Sequence, residues 1–312
     1  MQVFNFAKSL NFMRLKWPAL VVSGLLLLGS VLSFSFNGIN WGLDFTGGTV
    51  IEAGFSQPAD LVAVRQTLDG AGYGDAVVQL FGTSRDVLIR IPLRADVAQA
   101  EVGDSVLQAL NAQQAEPVTM RRVEFVGPSV GEELKQDGGM AMLVALIGIL
   151  LYVAMRFEWR LSVGAVLALG HDVILTLGLF SVLQLEFDLT VLAAILALIG
   201  YSINDTIVVF DRIRESFRKL RDASAAEVIN EAITSTLNRT VITSLTTVLV
   251  LIVLFYLGGA LIHGFATALL FGIAVGTYSS IYVASAIAEI LGISRQDMLP
   301  AVVEQEEQDL QP

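Results

Sequence analysis

The 312 residues include no cysteine. Disulfides are therefore excluded, thiolate zinc sites with them, and the redox compartment stays open. Histidine occurs only twice, at His171 and His263, so no structural metal centre is read. Charge is scarce too, at 16% of residues against 54% hydrophobic, and the mean hydropathy is +0.67; a soluble chain of this length carries more charge. Lysine and arginine number 19 against 30 aspartate and glutamate, so no basic patch dominates and the usual footprint of nucleic-acid binding is missing. The class indicated is a polytopic membrane protein that is not an enzyme and calls for no cofactor.

What the chain has is apolar length. A bilayer crossing needs roughly 20 residues at ~1.5 Å each, and six runs qualify: 17–36, 138–155, 161–185, 189–210, 233–257 and 261–291. The first follows Lys8, Arg14 and Lys16. A signal peptide has the same flank but an apolar core of only about 7–15 residues, so residues 17–36 read as an uncleaved first membrane helix behind a short segment, 1–16.

Residues 37–136 hold most of the charges and prolines. Short strands are predicted at 50–55, 76–81, 87–92 and 118–125. Helices are predicted at 95–113 and at 60–71, where Leu61, Val64 and Leu68 recur at i, i+3 and i+7. The order β-α-β-β-α-β predicts a small ferredoxin-like α+β domain, and about 100 residues suffice for one modest core.

Basic residues then assign the sides. Arg156 and Arg160 flank one loop; Arg212, Arg214, Arg218, Lys219 and Arg221 fill another; 185–188 and 257–264 hold none; the tail carries Arg295. The alternation puts both termini in the cytoplasm and residues 37–136 outside, in the periplasm of a Gram-negative cell. The spans after the domain fall within 137–295 and include a cytoplasmic helical segment, 211–232. There Ile213, Phe217 and Leu220 share a face between basic residues, the pattern of an interfacial helix, and Ser224 with Glu227 matches a capping box that starts a further helix. The tail, 296–312, is acidic, with the composition of a disordered segment.

Ionisable residues inside the runs carry the chemistry. Asn204 and Asp205 lie in A-L-I-G-Y-S-I-N-D-T-I-V-V-F-D-R. A carboxylate in the hydrocarbon slab costs roughly 2.5–3.5 kcal/mol on insertion scales. Hydrogen bonding between helices accounts for Asn204 and for Ser202 at i−3, but needs no acid, so Asp205 reads as a proton-binding group. Arg239, in L-N-R-T-V-I-T-S, has Thr243, Thr246 and Thr247 at i+4, i+7 and i+8. Asp205 and Arg239 both lie roughly 8–10 Å from the cytoplasmic surface by helix rise, and this matched depth predicts that they pair; a snorkelling arginine is the structural alternative. Asp172, with His171 beside it, sits near mid-membrane in the third run, either as a proton relay or as a partner for a neighbouring helix. His171 points about 100° away from Asp172, so the two do not face one partner.

The sixth run carries Gly264, Ala268, Gly272, Gly276, Ser280, Ala284 and Ala288, all four apart, a seam of small residues that lets helices approach closely. Two glycine motifs bracket the outer domain. G-L-D-F-T-G-G-T, with Asp44, Gly47 and Gly48, lacks the P-loop lysine and reads as a hinge or docking turn. V-G-P-S-V-G-E-E-L, with Gly127 and Gly131, reads as a second hinge.

In this order, and together with H-D-V, these motifs resemble the SecD/SecF family of bacterial protein-export membrane proteins, which belongs with the RND-type transporters; the resemblance covers about residues 5–295. It implies a SecD partner with six further spans, association with the SecYEG channel and YajC, residence in the bacterial inner membrane, and a role in drawing unfolded preproteins across it with the proton gradient. By position it makes Asp205 the membrane acid and Arg239 its arginine. Asp172, Asn204 and Thr243 are further candidates for proton coupling. The alternative is half of a small-molecule RND-type proton-driven exporter, which calls for larger external domains than one of about 100 residues.

Overall fold

In the computed structural model, which describes residues 9–93, 99–113 and 116–298, the first apolar run forms α1 (Lys16–Phe36), led in by a 3-10 turn at Met13–Leu15. Its leucines turn outward: Leu25, Leu26, Leu28 and Leu32 are about half exposed. The buried face is Ser23, Ser30 and Ser33. Lipid gives leucines no reason to turn inward, whereas small residues let backbones approach. Ser33 Oγ meets Ser181 Oγ at 2.8 Å, and a Cβ on Gly178 would stand 2.1 Å from Ser30 Oγ.

After β1 (Asn40–Trp41) and a single turn, α2 (Leu43–Thr46), the outer domain follows as β2 (Gly48–Gly54), α3 (Leu61–Gly70), β3 (Val77–Phe81), β4 (Thr83–Ile91), α4 (Gln99–Gln113) and β5 (Thr119–Val126). The sheet order is β3-β4-β2-β5, antiparallel throughout. The first and third strands of the βαββαβ series are central, as in the ferredoxin-like fold. Strand alternation sorts the faces. Ile51, Ala53, Val87, Ile89 and Ile91 join Val64, Leu68, Val102, Val106 and Leu110 in one core, while Val50, Glu52, Arg90, Arg122 and Glu124 fall on the opposite face. Asp60 caps α3 by accepting from the Val62 and Ala63 amides. β4 begins earlier than the 87–92 expected, because Gly82 (φ +76°) turns the chain tightly enough to pair Thr83 with Phe81. Of the helix expected at 95–113, residues 95–98 lie outside the described residues.

The membrane bundle continues with α5 (Pro128–Arg156), α6 (Trp159–Leu183), β6 (Glu186–Phe187), α7 (Leu189–Lys219), α8 (Ala225–Leu257) and α9 (Ala260–Ser279), then a π-helical segment, Ser280–Ala284, and α10 (Ser285–Ile290). Among the described residues six helices are long and apolar enough to cross a membrane, and the protein is an α-helical polytopic membrane protein with a small α+β domain. α6 and α7 form the centre; α1, α5 and α8 turn most of their large apolar side chains outward.

One expectation fails. α7 does not stop where its apolar run stops but continues to Lys219, with Ile213 and Phe217 buried against Val228, Ile229 and Ala232 of α8. The apolar stripe read as an interfacial helix is covered by protein, since helical periodicity alone does not say whether lipid or a neighbour lies against it. Ser224 and Glu227 make both bonds of the capping box, and α8 runs from there unbroken into the fifth span. The acidic tail expected after residue 300 lies outside the described residues.

The small-residue seam of α9 packs mostly against α7. A Cβ on Gly272 would meet Leu198 Cδ2 at 2.4 Å, and one on Gly264 would meet Val191 Cγ2 at 2.9 Å. Leu198 is fully buried and has no room to swing aside. Gly272→Leu is therefore expected to part the two helices and cost more than the ~1–3 kcal/mol typical of overpacking, lowering the melting temperature in detergent well below that of Gly148→Leu, whose glycine has open space around it. Equal melting temperatures would show that the seam tolerates separation.

Candidate functional site

Two buried acids occupy the middle of the bundle. Asp205 sits on the inward face of α7, 8% exposed. Its Oδ1 accepts from Thr240 Oγ1 of α8 at 2.7 Å, and its Oδ2 from Ser280 Oγ of the π segment at 2.5 Å. Asp172 of α6 is fully buried. Its Oδ2 accepts from Ser202 Oγ at 2.5 Å and Ser279 Oγ at 2.7 Å, and its Oδ1 lies 2.9 Å from His171 Nδ1. His171 stacks on Tyr278, ring centroids 6.4 Å apart, and its Nε2 has no hydrogen-bond partner among the described residues. The neighbours in sequence thus do meet, side chain to side chain. Nearby, Tyr201, Ser244 and Thr277 link α7, α8 and α9 by hydroxyl bonds of 3.2 and 2.8 Å. Each acid is ringed by hydroxyl donors, which stabilise a carboxylate where water does not reach.

The expected Asp205–Arg239 pair is not made. Arg239 is exposed on the outer side of α8, and among the described residues no lysine or arginine pairs with either acid. One residue is about 100° of helix, so Thr240 turns inward to Asp205 and Arg239 turns out; matched depth fixes height in the membrane but not direction. Thr243 is exposed as well, its hydroxyl bonded back to the Arg239 and Thr240 carbonyls. Asn204 also faces outward. The residues that do hold the acids, Thr240, Ser279 and Ser280, were legible only as small polar residues beside the ones chosen.

The two glycine motifs form one junction. Gly47 and Gly48 adopt φ of +68° and +127°, and a Cβ on Gly131 would stand 3.1 Å from Gly47 N. Gly127 precedes Pro128 at the start of α5, where proline is pre-organised for a first turn. Asp44 Oδ2 accepts from Leu189 N at 2.9 Å, and Asp188 accepts from Val191 N at 2.8 Å, so α7 is capped both from its own chain entry and from the glycine motif. β1 pairs in parallel with β6, and Trp41, Phe45, Phe180 and Phe187 pack ring against ring beside them.

Arg90 of β4 closes this attachment by pairing with Glu186. Burial pushes the Glu186 carboxyl above its ordinary value, opposed by Arg90 and reinforced by Asp188 and Asp44. Arg90→Ala removes that opposing cation and leaves a partly buried anion unpaired, at an expected cost of about 1–3 kcal/mol. The sign follows from linkage: a carboxyl whose value is raised in the docked state favours docking below about 4.5 and loses that contribution as pH rises. The Arg90→Ala defect should therefore be largest at neutral pH and shrink on acidification. Hydrogen exchange at Gly42 and Leu189 reads it, and adding Glu186→Gln should recover most of the loss; a double variant no better than the single would remove the pair from the attachment.

A six-span bundle built round paired buried carboxylates, with one α+β domain between its first two spans, defines an ion-responsive membrane protein rather than a passive anchor. Family models place it. The one described as "Protein export membrane protein SecD/SecF, C-terminal" matches residues 106–294, and the "SecD/SecF GG Motif" matches residues 32–59. The protein translocase subunit SecF of Vibrio alginolyticus is 56% identical over 305 residues, 98% of this chain and 97% of that protein. The crystal structure of SecDF, a translocon-associated membrane protein from Thermus thermophilus, superimposes with a TM-score of 0.82 at 39% identity, over 91% of this chain and 39% of that one. A crystal structure of SecDF in a super-membrane-facing form gives 0.67 at 40% identity, over 93% and 39%; this chain thus spans about two fifths of either SecDF chain. The chain belongs to the SecD/SecF family of protein export membrane proteins.

Proposed function

We propose that this chain is a protein translocase subunit that works beside a SecD-type chain in the bacterial inner membrane, and that proton binding at Asp205 powers the export of unfolded preproteins through a SecYEG-type channel, with YajC as an accessory. The observation that carries the reading is Asp205 itself, an acid kept in the middle of the bundle and held by hydroxyls from two other helices. Its partners would be met on the face of α7 and α8, where Arg239, Asn204 and Thr243 are exposed beside Ala193, Ala197 and Gly200. An arginine at membrane depth needs an anion, and small residues suit close approach by another helix; a related six-span chain supplies both.

Movement would pass through the glycine junction. Asp44 ties that junction to the first turn of α7, and Asp205 lies about 24 Å further along the same helix. A change in charge at Asp205 can thus tilt α7 and swing the outer domain about Gly47–Gly48 and Gly127–Gly131, drawing on polypeptide held there. The spread of TM-scores at near-equal identity supports a fold that is used in more than one arrangement. The loop arginines support a cytoplasmic placement of both termini and a periplasmic domain.

Two experiments test this. Single cysteines replacing Asp104 and Asp222, both exposed, should show opposite labelling by an impermeant thiol reagent in intact cells; equal labelling sinks the topology. Ala197→Trp should cut co-purification of the SecD-type chain several-fold, and unchanged recovery would move the interface elsewhere.

A further inference from the structure

We propose that Asp172 and Asp205 act as one two-carboxylate unit, joined by the adjacent serines Ser279 and Ser280, which serve as positioning residues at the entrance of the π segment. The proposal rests on the reading of Asp205 as the proton-binding group. Three consecutive residues touch three members of the cluster: Tyr278 stacks on His171, Ser279 donates to Asp172, and Ser280 donates to Asp205. Successive side chains on a helix diverge by about 100°, so neighbouring serines reach acids on two different helices. A second tie runs along α7, where Ser202 donates to Asp172 one turn before Asp205.

Each serine also has an alternative acceptor. Ser280 Oγ lies 3.1 Å from the Thr277 carbonyl, and Ser279 Oγ 3.1 Å from the Gly276 carbonyl. A hydroxyl bonded to an ionised carboxylate is held about twice as strongly as one bonded to a neutral group. When Asp205 takes a proton from water, one O–H bond forms on the carboxylate, and the bond from Ser280 weakens to the strength of its carbonyl alternative. The hydroxyl then shifts toward Thr277, and the backbone that carries it also carries Ser279. π turns interrupt the regular i→i−4 ladder and recur at functional sites; here the wider turn begins at Ser280, with Ser285 Oγ bonded to the Ser280 carbonyl five residues back. The second acid is thereby altered without exchanging a proton with the first. The titratable groups facing Asp172 are His171 on α6 and, behind it, Tyr278 on α9, whose hydroxyl is tied to α1 through the Ala19 carbonyl and Ser23; α8 and the π segment offer Asp205 only hydroxyls.

The test is infrared difference spectroscopy on the intact complex with its partner in vesicles, triggered by a pH step, with the carboxyl band lost in Asp205→Asn assigned to Asp205. Ser280→Ala is expected to move that band to higher frequency, and Ser280→Thr to return it. Ser279→Ala and Asp172→Asn should move it too, although neither residue touches Asp205. In transport, Ser279→Ala should reduce the gradient-stimulated part of export several-fold and Ser279→Thr restore it. An Asp205 band indifferent to both remote changes, or an unaltered increment in Ser279→Ala, overturns the coupling. If Asp205→Asn itself keeps the increment, it is the proton-site reading that fails instead.

Discussion

Gly48→Val is expected to prevent the chain from accumulating as a folded protein. Gly48 sits at φ +127°, and a Cβ there would stand 2.5 Å from the Ile91 carbonyl oxygen. That oxygen belongs to the backbone of β4, whose Ile91 is paired with Thr49, so it cannot yield without breaking the central strand pair. Backbone strain of this kind costs about 1–3 kcal/mol by itself. The steric term adds to it, in a fold whose whole margin is of order 5–15 kcal/mol. Gly47 stands differently: its Cβ would meet the tip of Leu93 at 2.5 Å, a side chain that can turn away, so Gly47→Ala should be the milder change. Membrane levels and protease resistance of the outer domain read the effect. Gly70→Val, with open space around it, serves as control; Gly48→Val behaving like that control would mean the junction can be rebuilt.

Asp205→Asn is expected to abolish the gradient-stimulated part of export and leave assembly intact. Asparagine keeps the shape of aspartate and offers one oxygen acceptor. The hydroxyl left facing its amide, Thr240 or Ser280, can rotate to accept instead of donate. The packing therefore survives while the titration is gone, and a group that never changes charge cannot bias a two-state element. Arg239→Lys should be a partial defect, because an ammonium lacks the planar fork, and it should show in the partner complex rather than in the isolated chain. Native gels of the complex separate the cases: Asp205→Asn is expected at wild-type levels, and loss of the complex would assign the residue to folding.

The spans and the outer domain could be read from the sequence because each rests on a local signal. Twenty apolar residues in a row, or Leu61, Val64 and Leu68 at helical spacing, need no knowledge of neighbours. The charges that assign sides are local too. What escaped was direction. Ile213 and Phe217 were visibly on one face, but whether lipid or α8 lay against that face is a tertiary fact. Arg239 and Thr240 differ by one residue, and the sequence gave no ground for choosing which turned toward Asp205. Ser279 and Ser280 were harder still. Ser280 fitted the small-residue seam of α9, and nothing in a row of small residues marks where the helix widens into a π turn and two hydroxyls meet two acids. The glycine motifs were legible as turns, since glycine pairs permit backbone that other residues resist. That they meet one another, and that Asp44 caps α7, required the fold.

The most direct measurement is preprotein export into inverted membrane vesicles, with the ATP-driven motor saturated, with and without an imposed proton gradient. Wild-type complex should export faster when the gradient is present. Asp205→Asn complex, matched for the amount assembled, should export at the gradient-free rate under both conditions. A full gradient-dependent increment in the Asp205→Asn complex would contradict a proton-binding role for Asp205.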